Sequence, residues 1–212
     1  MGRGRRNHPS PEKPAGKARI AKALPLTPER FDDLEALFAQ KGCSFARDCW
    51  CMAYRVTGQI KTADGKPPAN PRAYRKRRLK ALAGHAPTPG LIGYDETGAP
   101  AGWVAVGPRA AFPRVQNSPI MKPVDDPDAW VLVCFVAPSP NRGQGVAKAL
   151  IQYAVEHARD HGASRLEAFP FDRDTAMQPQ FLWHGAFSMF AEAGFKEIAR
   201  RKADRPVMAY IF

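Results

Sequence analysis

Asn141-Arg142-Gly143-Gln144-Gly145-Val146-Ala147 joins an apolar run, residues 130–136, to a segment of helical spacing, residues 144–161. A glycine-rich turn between a strand and a helix leaves several main-chain N–H groups unpaired and aimed at one spot. The positive end of the helix dipole adds to their pull. Such a place binds a phosphate or pyrophosphate. A nucleoside-triphosphate loop would need Gly-Lys-Ser/Thr, which this turn lacks. A dinucleotide loop would need a third glycine after Gly143-x-Gly145. The pattern Arg/Gln-x-x-Gly-x-Gly/Ala is met at every position from Arg142 to Ala147.

Outward from the turn, strands and helices alternate. Residues 18–26 read as a first strand. Thr27-Pro28 reads as a helix start, with Thr27 as N-cap and Phe31, Leu34, Leu37 and Phe38 at helical spacing behind it. Gly42 suits the end of that helix, and residues 57–71 read as a proline-rich loop. Residues 71–83 form a basic helix with Tyr74, Leu79 and Leu82 on its apolar side. Residues 89–95 and 101–108 flank a hairpin signal at Glu96-Thr97-Gly98-Ala99-Pro100. Residues 109–128 are irregular. The continuous apolar run 130–136 suits a strand buried on both faces. Residues 166–169 are a further strand, 181–193 a helix ending at Gly194, and 195–199 and 207–212 the last two strands. The pattern is that of an α/β layered domain.

The chain has 212 residues and a net charge of +12. Residues 1–22 carry seven bases and one acid, and residues 72–80 carry six bases and no acid. The other nineteen bases and nineteen acids cancel. Two patches therefore hold the whole excess, and they suit an anionic partner or a solvated face. Residues 1–17, rich in Gly, Pro and Arg, read as a disordered basic tail, with a domain over 18–212. No apolar run is long enough to span a membrane, and no secretory signal follows the basic start. The expectation is a cytoplasmic protein with reduced thiols at Cys43, Cys49, Cys51 and Cys134. The first three, spaced x5 and x1 with no nearby His, do not form the paired ligands of a zinc site, so no metal is expected.

The turn at 142–147, the apolar strand before it, the Ala-x-x-Leu helix after it and Ala193-Gly194-Phe195 downstream resemble the GNAT superfamily of acetyl-CoA-dependent N-acetyltransferases. Cys49-Trp50-Cys51 and the stretch Gly102 to Arg109 look like a bacterial subgroup of it. The resemblance spans roughly residues 18–212. It implies a single-domain α/β fold with a mixed, mostly antiparallel sheet flanked by helices on both faces. It also implies acetyl transfer from acetyl-CoA to a primary amine, on a small molecule or a protein lysine.

The resemblance assigns the CoA pyrophosphate to the amides of Arg142, Gly143, Gln144, Gly145, Val146 and Ala147, with the Arg142 charge nearby. The pantetheine arm would pair like an extra strand with Cys134, Phe135 and Val136. The family's usual general acid, a Tyr on the last helix, is missing: Phe187, Met189 and Phe190 stand there. Either the thiolate leaves unprotonated, or a water or a Tyr from elsewhere in the chain serves instead. Glu167 is the best candidate base, against the reading that it pairs with a basic residue such as Arg165 or Arg173. Asp172 and His184 are weaker options. Trp50, with Met52 and Tyr54, is expected on an acceptor wall, as are Trp103 and Arg109. The competing readings are a basic nucleic-acid-binding module and an acyl-CoA-binding fold without catalysis. Only Tyr74 interleaves with the bases of residues 72–80, so nucleic acid is not an expected partner.

Overall fold

The computed structural model describes residues 19–126, 128–173 and 182–212, so the expected tail over 1–17 lies outside the described residues. Seven strands form one open sheet: β1 (Ile20–Pro25), β2 (Leu91–Asp95), β3 (Pro100–Pro108), β4 (Trp130–Val136), β5 (Arg165–Ala168), β6 (Lys196–Lys202) and β7 (Arg205–Ile211). Their spatial order is β1-β2-β3-β4-β5-β7-β6, and β4 and β5 are the one parallel pair. The β2–β3 hairpin falls on its sequence signal. The Asp95 carboxylate accepts from the amides of Thr97 and Ala99, and Gly98 takes the left-handed backbone there.

The helices are α1 (Phe31–Ala39), α2 (Ser44–Cys49), α3 (Pro71–Ala83), α4 (Pro113–Gln116), α5 (Val146–Asp160) and α6 (Phe187–Glu192). The start of α1 differs from the expected cap. A 3-10 turn at Pro28–Arg30 precedes it, and the Thr27 side chain makes no capping bond. Helix α3 keeps its predicted bounds because Asn70 accepts from the Ala73 amide and Pro71 opens the first turn. Helix α4 is a short turn within the stretch expected to be irregular. The expected helix over 181–193 shrinks to α6. Gly185 has φ of +75°, and Ala186 bridges Phe171 instead of continuing a helix. Phe181 lies outside the described residues.

Two apolar layers sandwich the sheet. Helices α1, α2 and α3 cover one face with Phe31, Leu37, Phe38 and Leu79, and α5 and α6 cover the other with Leu150, Ile151, Ala154 and Phe190. Strand β3 alternates between them: Trp103 and Ala105 face the first layer, Val104 and Val106 the second. Strand β4 does not. Ala105 pairs with Cys134 and Val106 with Leu132, so Val133 is an extra residue, a β-bulge. Val131 and Val133 pack in the first layer, and beyond the bulge Cys134 and Val136 do too, with Phe135 on the opposite side.

Helix α5 sits close to the sheet because two glycines lie under it. A Cβ on Gly102 would come within 2.6 Å of Val146 Cγ1 and 3.0 Å of Leu150 Cδ1. One on Gly93 would meet Leu150 Cδ2 at 3.0 Å. This contact seats the N-terminus of α5 against the end of β4. Gly102→Val should therefore lower the unfolding free energy by about 1–3 kcal/mol through overpacking, read by urea denaturation. Unchanged stability would show that α5 does not rest on Gly102.

Candidate active site

A cavity of about 560 Å³ opens at the end of β4, between α2 and the start of α5. One wall is the outward end of β4 and the turn behind it: Cys134 to Ala137, then Asn141, Arg142, Gly143, Gly145, Val146, Ala147 and Lys148. The facing wall is α2 and the chain after it, from Cys43 to Tyr54. Leu182, Trp183, Gly185 and Met189 close the side. The lining is mainly apolar, and among the described residues on it none is Asp or Glu.

The turn is pinned from three directions. Asn141 Nδ2 donates to the Ala101 carbonyl at 3.1 Å, and Gln144 Nε2 donates to the Pro140 carbonyl at 2.5 Å. Arg142 donates through Nε to the Ala137 carbonyl (3.0 Å) and through a terminal nitrogen to that of Gly42 (2.6 Å). Its guanidinium thus staples the turn to the chain just after α1 and keeps its charge beside the cavity. Gly42 has φ of +87°, and a Cβ there would fall 2.1 Å from Ser139 Oγ, so glycine is required.

The glycines of the turn test whether a phosphate-bearing group fits. Gly143 and Gly145 have φ of +72° and +83°, and nothing lies within 4 Å of where either Cβ would sit. Open space lies directly against the main chain, ahead of the first turn of α5. The amides of that turn have no partner four residues back. The residues present fit a diphosphate.

Beyond Leu132, β4 and β5 part: their register runs only from Trp130 with Leu166 to Leu132 with Ala168. The gap is partly filled, because the Phe135 amide donates to the Trp183 carbonyl at 2.7 Å. Of the three residues expected beside a pantetheine arm, Phe135 thus has its amide engaged by the chain itself. Gly185 lets this segment sit close, since a Cβ there would meet the Phe190 ring at 2.9 Å and the Phe135 ring at 3.4 Å.

Four expected site residues stand off the cavity. Glu167 is fully buried between two guanidinium groups: Arg109 pairs with Oε2, and Arg165 Nε donates to Oε1 at 2.9 Å. Burial pushes its carboxyl above the usual range, against the pull of Arg109 and Arg165. The carboxylate holds an ion-pair network that continues to Asp125, and it does not reach the cleft. Arg109, also fully buried, belongs to the same network and donates to the Met121 carbonyl at 2.9 Å. Trp50 stacks on Phe31 in the core, and Trp103 is fully enclosed with Nε1 donating to Cys51 Sγ at 3.1 Å.

The apolar chain after α1 does line the cleft, through Cys51, Ala53 and Tyr54. Tyr54 Oη lies 2.7 Å from Nε2 of His184, a buried imidazole. Burial raises the Tyr54 hydroxyl above its ordinary value. It lowers His184 to about 3, with the Arg205 charge adding to the effect. Near neutral pH the pair is a protonated phenol beside a neutral imidazole. Phe45 and Trp183 were not expected on the wall. Phe45 carries a late signal, a large apolar residue 62% exposed beside the buried Ala46.

The sequence model of the Acetyltransferase (GNAT) family matches residues 56–181, more than half of the chain. The chain belongs to the GNAT acetyltransferase family. No curated protein matches it. Among solved structures it is similar to the GNAT domain of PAT from S. lividans, with TM-score 0.50 and 16% identity over 90% of this chain and 89% of that one. Arylalkylamine N-acetyltransferase 2 from Aedes aegypti also superposes, with TM-score 0.50 and 14% identity over 90% and 98%. At such identities these two likenesses bear on the GNAT fold alone. No described helix is long and apolar enough to cross a membrane.

Two measurements check the polar groups. Glu167→Ala leaves Arg109 buried without its counter-charge and should cost about 3–5 kcal/mol of stability in urea denaturation. A carboxylate needed only for chemistry would leave that midpoint in place. His184 and His157, the latter lowered by burial to about 4, are held neutral in the fold. The unfolded chain takes up a proton on each near pH 6.5, so their contribution is whole above that pH and is lost below it. Unfolding free energy should fall by roughly 2 kcal/mol per imidazole from pH 7 to pH 5, and His157→Leu should remove about half of that slope.

Proposed function

We propose that the protein moves an acetyl group from acetyl-CoA directly to a primary amine of a small molecule or a protein lysine. It does so within a domain running from about residue 18 to the end of the chain. The supporting observation is the single cleft that runs from the open glycine turn at 143–145 to Tyr54. Acetyl-CoA would supply the thioester carbonyl that the amine attacks.

The residues divide the work. The amides of 143–147 hold the diphosphate, and Gly143 and Gly145 leave it room. Val136, Ala137 and Cys134 line the path inward from the turn. The apolar walls exclude water from the reacting atoms and so strengthen each polar contact made there. Tyr54 is the general acid: its hydroxyl, protonated near neutral pH, gives its proton to the departing sulfur, and His184 Nε2 holds the oxygen in place. No described carboxylate on the wall takes a proton from the amine, so the acceptor enters as the free base or loses its proton to water. An acceptor with an apolar body suits Phe45, Ala46 and Ala53. The four cysteines, all unbridged, suit a reducing cytoplasm.

The test is a thermal shift followed by turnover. Acetyl-CoA at a hundred times its Kd should raise Tm by about 5–10 °C. Gly145→Val, checked for folding by circular dichroism, should abolish the shift. With an amine panel, Tyr54→Phe should cut kcat by about a hundredfold or more and leave the shift intact. No stabilisation by millimolar acetyl-CoA defeats the donor assignment. Full turnover in Tyr54→Phe defeats the acid assignment.

A further inference from the structure

Helix α3 carries six bases and no acid, and the acetyl-transfer cleft uses none of them. Three of them meet an acid or an aromatic face outside a second cavity or at its edge. Lys76 pairs with Glu35 and lies over the Trp50 ring, Lys80 lies over Phe31, and Arg77 over Tyr74. Arg75 and Arg78, three residues apart, share one face of the helix. That face, with Arg55 and Lys61, lines this second cavity, of about 260 Å³.

No described Asp or Glu lines this cavity, and none forms an ion pair with any of the four cations. The guanidinium groups reach only neutral oxygens. Arg75 donates to the Asp48 carbonyl (2.9 Å), Arg78 to the Tyr74 hydroxyl (3.3 Å), and Arg55 to the Pro89 carbonyl (2.7 Å). The Arg55 guanidinium carbon lies over Phe112, 4.0 Å from the ring centre, and its Nε is buried without a partner. Burial lowers Arg55 to about 10. Four converging like charges in a concave site repel one another, and an anion relieves that repulsion. Guanidinium forks match the oxygens of phosphate and carboxylate.

We infer that this second cavity binds a small anionic ligand through a phosphate or carboxylate group. The concave shape favours a small ligand over nucleic acid. The one aromatic ring among the bases, Tyr74, is already covered by Arg77 and Arg78, so it offers no platform for stacking bases. The two cavities share one stretch of chain: Met52 and Arg55 face the small one, and Cys51, Ala53 and Tyr54 face the large one. An anion held at Arg55 sits one residue from Tyr54 of the larger cleft.

Calorimetric titration of the full chain with inorganic phosphate, and separately with succinate, at constant ionic strength tests this. Saturable one-site binding of at least one probe is expected, weakened about tenfold or more in Arg75→Gln/Arg78→Gln, with the fold of the variant checked by circular dichroism. Two kinetic arms then separate the sources of the anion. If it is part of the acceptor, the double variant raises KM for an amine bearing a carboxylate and spares its neutral analogue. If it is a separate ligand, both amines respond alike and phosphate does not compete with either. Three results overturn the inference: no saturable binding of either probe at about 10 mM, equal binding by the variant, or binding of a single-stranded oligonucleotide with none of phosphate or succinate.

Discussion

The extra residue at Val133 governs where the chemistry of this fold can take place. Up to Val133 strand β4 alternates regularly between the two apolar layers, and the bulge then shifts that alternation by one position. Cys134 and Val136 thereby turn toward α1, α2 and α3, and Phe135 turns toward α5 and α6. The same irregularity lies where β4 and β5 stop pairing after Leu132 and Ala168. A gap between two parallel neighbours, lined by side chains of chosen facing, becomes one wall of the cleft. Without the shift, the Cys134 side chain would lie under α5 and the cavity would lose its floor.

The second determinant is the seat of α5. Gly93 and Gly102 remove two side chains from beneath it, so the helix comes down onto β2 and β3 and its first turn meets the end of β4. Two separate features, a bulge in one strand and missing Cβ atoms in others, thus bring an open glycine turn and an apolar groove into line. The network of buried Arg109, Glu167 and Arg165, which ends at the exposed Asp125, lies off this line. It fixes β5 against the chain that follows β3. Its groups are costly to bury and costly to break, which is a structural duty and not a proton-transfer one.

Much of this was legible in the sequence. The strand, turn and helix around 130–161 carry local signals: a continuous apolar run, two glycines and a helical stripe. Helix α3 is legible from the spacing of Tyr74, Leu79 and Leu82 among its bases. What local signals do not carry is the facing of a side chain whose partners are distant. Glu167 sits on a short strand where either face is plausible until Arg109, 58 positions away, is brought beside it. Tyr54 and His184 are 130 positions apart, and nothing near either residue marks the other. The bulge is silent for a related reason, because an unbroken apolar run looks the same whether or not one residue is doubled on a face. Trp50 and Trp103 illustrate the converse: large aromatics near a cleft filled the core behind it, where their area is better used.

Arg142 has one further consequence. Its guanidinium grips carbonyls from both jaws, Ala137 on the sheet side and Gly42 at the end of the first helix. One side chain thereby ties the two walls of the groove to each other. A lysine at this position would lack the planar fork that reaches both carbonyls at once.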